Sequence, residues 1–303
     1  MGIQNNSGLS LEQGRILDLE KKYFDLIFGI FNTRDFEVDL VAMEDEIKNR
    51  YNEYANVWNL KNKLKIPAER IVTHYMYKHD HLKNDIVGIY SSPISSDIGL
   101  KMNDAILCID IKTNDTIGNI GDYNKIIAER NQMSFINTSY VNVTTNENLH
   151  TYDEDLPVLT YIVKLGYVDD GNSFSLKTDD PSYPPIQVAC VPNGELGNLF
   201  GHNIVDGFKT YHYDEEESTI EYFETKEQAN EYLEDNYTLI PGLDKAIYLD
   251  STTGNKYVAT SKRKTPCVKR LLSGNTARIN KEAITNRLNS TGDSWEGYKV
   301  INW

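Results

Sequence analysis

No stretch of this 303-residue chain stays apolar for long; the most hydrophobic window, Tyr23 to Phe31, is far too short to span a bilayer. Met1 to Gln13 is polar and lacks the charged start and apolar core of a signal peptide. Asn6 stands where a myristoylation motif needs Ser or Thr. Cysteine is scarce and odd in number: Cys108, Cys190 and Cys267. Two of the three sit in apolar runs, so buried reduced thiols and a cytoplasmic location are expected rather than a disulfide framework. Basic residues are outnumbered, 31 against 45 acids, and the net charge of -14 argues against indiscriminate coating of nucleic acid. The histidines lack metal-ligand spacing: His79 and His81 have no matching Cys or His, and His202 and His212 are isolated. Gly118-Asn-Ile-Gly121 lacks the full spacing of a phosphate cradle and reads as a turn.

What is present is an ordinary globular balance, 40% hydrophobic and 25% charged. Ser10 can cap a helix over about Leu11 to Phe31, with Ile16, Leu17, Tyr23, Phe24, Ile27, Phe28 and Phe31 as its buried stripe. A second helix is expected from about Leu40 to Leu64, on Leu40, Ile47, Tyr51, Tyr54 and Trp58, with Pro67 marking its end. Arg70 to Tyr77 is β-branched and aromatic and reads as a strand. Ile86 to Tyr90 and Ala105 to Ile109 read as an antiparallel pair, and a helix is expected from about Tyr123 to Ser134. Leu156 to Tyr167, paired across a turn with Ser173 to Leu176, and Ile186 to Val191 are further strands. Composition then shifts. Tyr213 to Asn236 holds ten acids and one lysine, with Thr225 to Gln228 opening an acidic helix. Ala246 to Asp250 and Lys256 to Thr260 read as a hairpin. Lys256 to Arg287 holds nine basic residues and one acid, Glu282. One domain over 1–303 is expected: a core of about 40–212, an acidic insertion at 213–245 and a basic segment at 246–290.

Four acid-x-Lys tripeptides occur, at Glu20, Glu46, Asp110 and Glu224. Glu20 and Glu46 fall on expected helices, where a solvated face is the ordinary reading. Asp110 alone follows an apolar run, Ala105 to Ile109, and a charge emerging from a buried strand needs partners. If the hairpin folds back around Asp97 and Ile98, Asp85 lies opposite Asp110 and Asp97 sits at the tip. Asp104, about 20 Å away along an extended strand, is too distant to share an ion with Asp110. Asp85 and Asp110 could then hold Mg²⁺, with Lys112 orienting a water for attack on a phosphodiester. Glu53 is a further candidate from the second helix. The bland reading is a hairpin-end salt bridge between Asp110 and Lys112. Lys262, Arg263, Lys264, Lys269, Arg270 and Arg278 can neutralise DNA phosphates, with the acidic block facing away.

These residues resemble the BglI-like type II restriction endonucleases of the PD-(D/E)xK superfamily. The resemblance rests on Asp85 with Ser92-Pro93, Asn103-Asp104, Ile109-Asp110-Ile111-Lys112-Thr113, and Ala189 to Gly194 with Leu199-Phe200. It covers roughly Glu53 to Phe208. Asn84 stands where the motif has proline. By position the resemblance makes Asp85, Asp110 and Lys112 the two metal-binding aspartates and the lysine, with Ile111 in the metal set and Glu53 near an upstream glutamate. It implies an α/β fold, a central mixed sheet flanked by helices with a C-terminal β/α elaboration. It further implies a Mg²⁺-dependent homodimer that cuts interrupted palindromes in double-stranded DNA beside a cognate methyltransferase. A structure-specific repair or mobile-element nuclease, and a non-catalytic DNA-binding module, are the rival readings.

Overall fold

Helix α1 (Leu11–Phe31) starts where Ser10 closes a reciprocal capping box with Gln13, the expected boundaries to the residue. In this computed structural model residues 8–53, 64–90, 96–115, 125–135, 149–170, 173–176, 184–214, 216–241, 246–262 and 264–302 are described. Tyr54, Trp58, Ser92-Pro93 and Gly118 to Gly121 therefore lie outside the described residues. Helix α2 (Arg34–Asn49) begins earlier than expected because Thr33 accepts a hydrogen bond from the Phe36 N–H and Asp35 and Glu37 occupy the first turn. Its buried stripe is Phe36, Leu40, Glu44 and Ile47.

The segment expected as a strand at Arg70 to Tyr77 lies inside helix α3 (Lys65–Lys78). Pro67 falls in the first turn, where a missing N–H costs no intrahelical bond, so it opens this helix rather than closing the previous one. Ala68, Val72, Tyr75 and Met76 form the buried face. Helical spacing of the apolar residues overrides the β-branched composition.

The strands are β1 (Ile86–Ile89), β2 (Ile98–Met102), β3 (Ile106–Asp115), β4 (Ile126–Glu129), β5 (Tyr152–Asp153), β6 (Leu156–Asp169), β7 (Phe174–Ser175), β8 (Ile186–Val191), β9 (Val205–Tyr213), β10 (Glu221–Tyr222), β11 (Thr238–Ile240), β12 (Ile247–Leu249), β13 (Lys256–Lys262), β14 (Thr265–Ile279), β15 (Asn286–Leu288), β16 (Ser294–Glu296) and β17 (Tyr298–Ile301). The main sheet runs β1-β2-β3-β6-β8-β17, with β5 and β7 added on β6. Only the β3–β6 pair on this path is parallel. The sheet is thus mixed and, with helices packed on it, the fold is α/β as expected. β6, β7 and β8 match the sequence reading. Where a helix was expected over 123–134, the described part holds β4 and a 3₁₀ turn, Arg130–Gln132. Ile126 and Ala128 are buried on alternate positions, the period of a strand.

The chain forms two compact units, 1–207 with 277–303, and 208–276. The first carries the main sheet. In the second, the helix Lys226–Asn236 lies on a sheet ordered β10-β14-β13-β12-β11, through Ala229 and Leu233 against Tyr248 and Val268. Its Thr225 capping box and the β12–β13 pairing are those read from the sequence.

Candidate active site

The hairpin that carries Asp110 is built differently from the expected one. β3 pairs with β2, not with β1, through Ile98↔Ile109, Gly99↔Cys108, Leu100↔Leu107 and Lys101↔Ile106. The turn between them is Asn103-Asp104, closed by a hydrogen bond from the Met102 N–H to the Ala105 carbonyl at 2.8 Å. One step beyond the Ile98↔Ile109 pair, Asp97 comes level with Asp110. Its Oδ2 accepts the Ile111 N–H at 2.6 Å. Asp85 is taken to the other end: Ile86 pairs with Met102, which leaves Asp85 beside the turn, where its charge acts on Tyr23. Ala105 to Asp110 along an extended strand is roughly 17 Å. The structure therefore does not bring Asp85 to Asp110. The missing piece was β2, whose Gly99 and Lys101 break the apolar run that a central strand would show.

Asp110 is 1% exposed. Burial pushes its carboxyl up to about 6, against the pull of Lys112 and with a further push from Asp97 and Glu129. Oδ1 accepts a hydrogen bond from Gln132 Nε2. Oδ2 lies 2.8 Å from the Lys112 ammonium without a directed hydrogen bond. Lys112, with a side chain 25% exposed, also donates to Gln132 Oε1 at 3.3 Å. Strand alternation puts Asp110 and Lys112 on one face, and Gln132 reaches both from the 3₁₀ turn.

Glu53, the further acid expected, is paired elsewhere. It is exposed and lies 2.6 Å from Arg50, which holds its carboxyl below the usual range. Glu69, on α3, is the helix carboxylate in electrostatic reach of Asp97; partial burial, and then that charge, push it up. Asp104, rejected on strand length, is held at the far end by Lys22 at 2.7 Å and by Tyr23.

Among the described residues no group of three or more His, Cys, Asp or Glu side chains is arranged to hold a metal ion. The side-chain oxygen donors brought level at this end of β3 are the carboxylates of Asp97 and Asp110. Such a hard oxygen set suits Mg²⁺, which usually takes one or two protein carboxylates and fills its shell with water and phosphate. The buried Asp110 oxygen lacking a directed hydrogen bond fits that use.

The Val-Pro-Asn-Gly loop is structural. Asn193 donates to the Thr151 and Val158 carbonyls at 2.9 Å each and accepts from the Glu195 N–H. A Cβ on Gly194 would meet Thr151 Cγ2 at 2.7 Å and the Ser134 carbonyl at 2.9 Å, which explains the glycine. The Asn193 N–H donates to Glu20 Oε1 at 2.8 Å. Glu20 was expected on a solvated face; it is 0% exposed and paired with the equally buried Arg287.

The expected DNA-contacting set is largely engaged within the protein. Lys262 pairs with Glu217, and Arg270 forks onto Asp214 at 2.6 and 3.0 Å. Lys269 is buried over the Tyr213 ring. Arg278 is half-buried with Nε unpartnered. Lys264 is exposed in a left-handed turn position at φ 70°, and Arg263 lies outside the described residues. Asp214 and Glu217 of the acidic block thus pair with the basic segment.

The mixed sheet thus carries an acid pair and a lysine at one end of a central strand. The family follows from the sequence: residues 13–166 match the model described as type II restriction enzyme MwoI, N-terminal domain, and the chain belongs to that family. The match takes in Glu69, Asp97, Asp110, Lys112 and Gln132. Two solved structures are similar. One is the restriction endonuclease BglI bound to its DNA recognition sequence, with 17% identity, TM-score 0.41, and coverage of 71% of this chain and 85% of that one. The other is tetrameric SfiI bound to cognate DNA, with 17% identity, TM-score 0.37, and coverage of 65% and 71%. No curated protein sequence matches the chain. Among the described residues no helix is long and apolar enough to cross a membrane.

Proposed function

We propose that this chain is a Mg²⁺-dependent, sequence-specific endonuclease that hydrolyses phosphodiester bonds of double-stranded DNA. One observation carries the reading: β2 and β3 set Asp97 and Asp110 level with each other, with Lys112 beside them on the same face. Asp97 and Asp110 would hold the ion, with the main chain of Ile111 between them; Asp85 and Glu53 have no part. Mg²⁺, when bound, supplies positive charge to a scissile phosphate and acidifies a coordinated water. Lys112 then orients the attacking water and steadies the charge that grows on the phosphate. Glu69 and Glu129 add to the negative field at this strand end and favour cation binding.

An interrupted palindrome read by a homodimer is the expected target, since two-fold protein symmetry mirrors two-fold DNA symmetry. A cognate methyltransferase and a cytoplasmic setting go with that reading. The test is digestion of a sequenced plasmid with Mg²⁺, mapping the cut ends. Discrete fragments are expected, and Lys112→Ala is expected to bind the same DNA while losing at least about a hundredfold in cleavage rate. Full cleavage by that variant, or a ladder without fixed ends from the wild type, would overturn the proposal.

A further inference from the structure

Gln132 lies in the segment whose strand and 3₁₀ turn replace the expected helix, and it is buried at 3% exposure. Both ends of its amide are in use. Nε2 donates to Asp110 Oδ1, while Oε1 accepts the Lys112 ammonium at 3.3 Å and the Glu129 N–H at 2.7 Å. Its own carbonyl accepts the Thr160 hydroxyl at 3.1 Å, from the neighbouring strand β6. The amide has one acceptable orientation. Flipped, its oxygen would face a carboxylate and its NH₂ would face an N–H and an ammonium.

This orientation commits one oxygen of Asp110 to Gln132 and leaves the other facing Lys112. A cation held at that second oxygen would compete with the Lys112 ammonium for it. Gln132 Oε1 is the acceptor already within reach of the lysine. A group that orients a ligand in this way commonly matters nearly as much as the ligand itself.

We propose that Gln132 is a positioning residue for cleavage: it fixes Asp110 with one oxygen toward the ion and keeps Lys112 at the site once a cation occupies its place. The inference rests on the Mg²⁺-nuclease reading above and extends it to a residue outside the acid-x-Lys pattern.

Gln132→Met keeps the length and packing of the side chain and removes its amide's hydrogen bonds with Asp110, Lys112 and the Glu129 N–H. In the full-length protein, melting temperature is followed against Mg²⁺ concentration without DNA, and single-turnover cleavage against Mg²⁺ with DNA. The expected result is a half-saturating Mg²⁺ concentration raised about tenfold in both series and a rate at saturating Mg²⁺ lowered about 10- to 100-fold. A residue that only packs would leave both midpoints and the rate unchanged, and that result overturns the inference. If the Met variant does not fold, Gln132→Glu decides. It keeps the acceptor for the Glu129 N–H but sets a carboxylate oxygen against Asp110. A lowered Mg²⁺ midpoint in the melting series together with slower cleavage supports the inference, and wild-type values for both overturn it. Wild-type protein that neither melts higher with Mg²⁺ nor cuts DNA overturns the nuclease reading itself. Wild-type protein that does both, beside an unaltered Gln132 variant, overturns this inference alone.

Discussion

Two ion pairs of the first unit, Glu20–Arg287 and Asp110–Lys112, are built to opposite ends. Glu20 and Arg287 are both 0% exposed. Glu20 accepts from the Asn193 N–H as well as from Arg287, and the guanidinium is covered by Trp295 at 4.4 Å and Phe200 at 5.0 Å. Gly297 is what lets the chain pass over it: a Cβ there would stand 2.5 Å from Arg287 Cδ. That pair is sealed from solvent, although Arg287 Nε has no hydrogen-bond partner. Asp110 and Lys112 also meet, but Asp110 Oδ2 has no directed hydrogen bond and the lysine side chain is 25% exposed. A buried pair closed on all sides ties elements together; one left open on one side keeps a charge ready for a ligand.

Removing one partner of the sealed pair should have the largest effect on folding. Arg287→Met strands Glu20 as a lone buried charge and is expected to cost about 3–5 kcal/mol in denaturant unfolding. Adding Glu20→Met to it should recover much of that loss. No recovery would mean the pair is more than a closed salt bridge. The open pair should behave in the reverse sense. Asp110→Asn is expected to abolish cleavage yet to stabilise the metal-free protein by about 2–3 kcal/mol above pH 6. The native carboxyl titrates at about 6, above an unfolded value of about 4. The native state therefore binds more protons between those values, and wild-type stability falls as pH rises through that window. The advantage of the variant should be small at pH 4 and full by pH 6–7 in thermal melts with EDTA; a pH-independent difference would contradict the placement of Asp110. The smallest effects belong to the two acids that the fold leaves out. Asp85→Asn and Glu53→Gln are each expected to shift unfolding by less than about 0.5 kcal/mol and to leave cleavage intact. Loss of cleavage in Asp85→Asn would restore the register that the hairpin turn excludes.

Much of this was legible from residues alone. The Ser10 cap, the long apolar strand at β6, β8, and the acidic helix opened by Thr225 are local signals, and each appears where the sequence put it. Asp110 and Lys112 stood out because an apolar run runs straight into them. Their aspartate partner was misread because the turn was placed at Asp97-Ile98. The chain folds back at Asn103-Asp104 instead, and that sets Asp97, not Asp85, beside Asp110. α3 was hidden by β-branched residues behind a proline that starts a helix as readily as it ends one. Gln132, Glu69 and the burial of Glu20 had no sequence signal. Their roles depend on which distant strand or helix lies alongside, and a single sequence does not encode that in its local pattern.

The two flanks of β3 are also acquired over very different lengths of chain. On one side the two-residue turn Asn103-Asp104 returns β2 directly. On the other, the parallel partner β6 arrives only after the chain has run from residue 116 to residue 155. Loop-closure entropy favours the short connection, and hairpins form in microseconds while non-local pairing is slower. The order of assembly then bears on the proposed site: Asp97 and Asp110 are brought level by a local hairpin, before β6 covers its open edge. Substitutions at the turn should slow refolding, while substitutions at the β3–β6 seam such as Val163→Ala should mainly speed unfolding, as read from the two limbs of a chevron. Equal effects on both limbs would argue for concerted assembly.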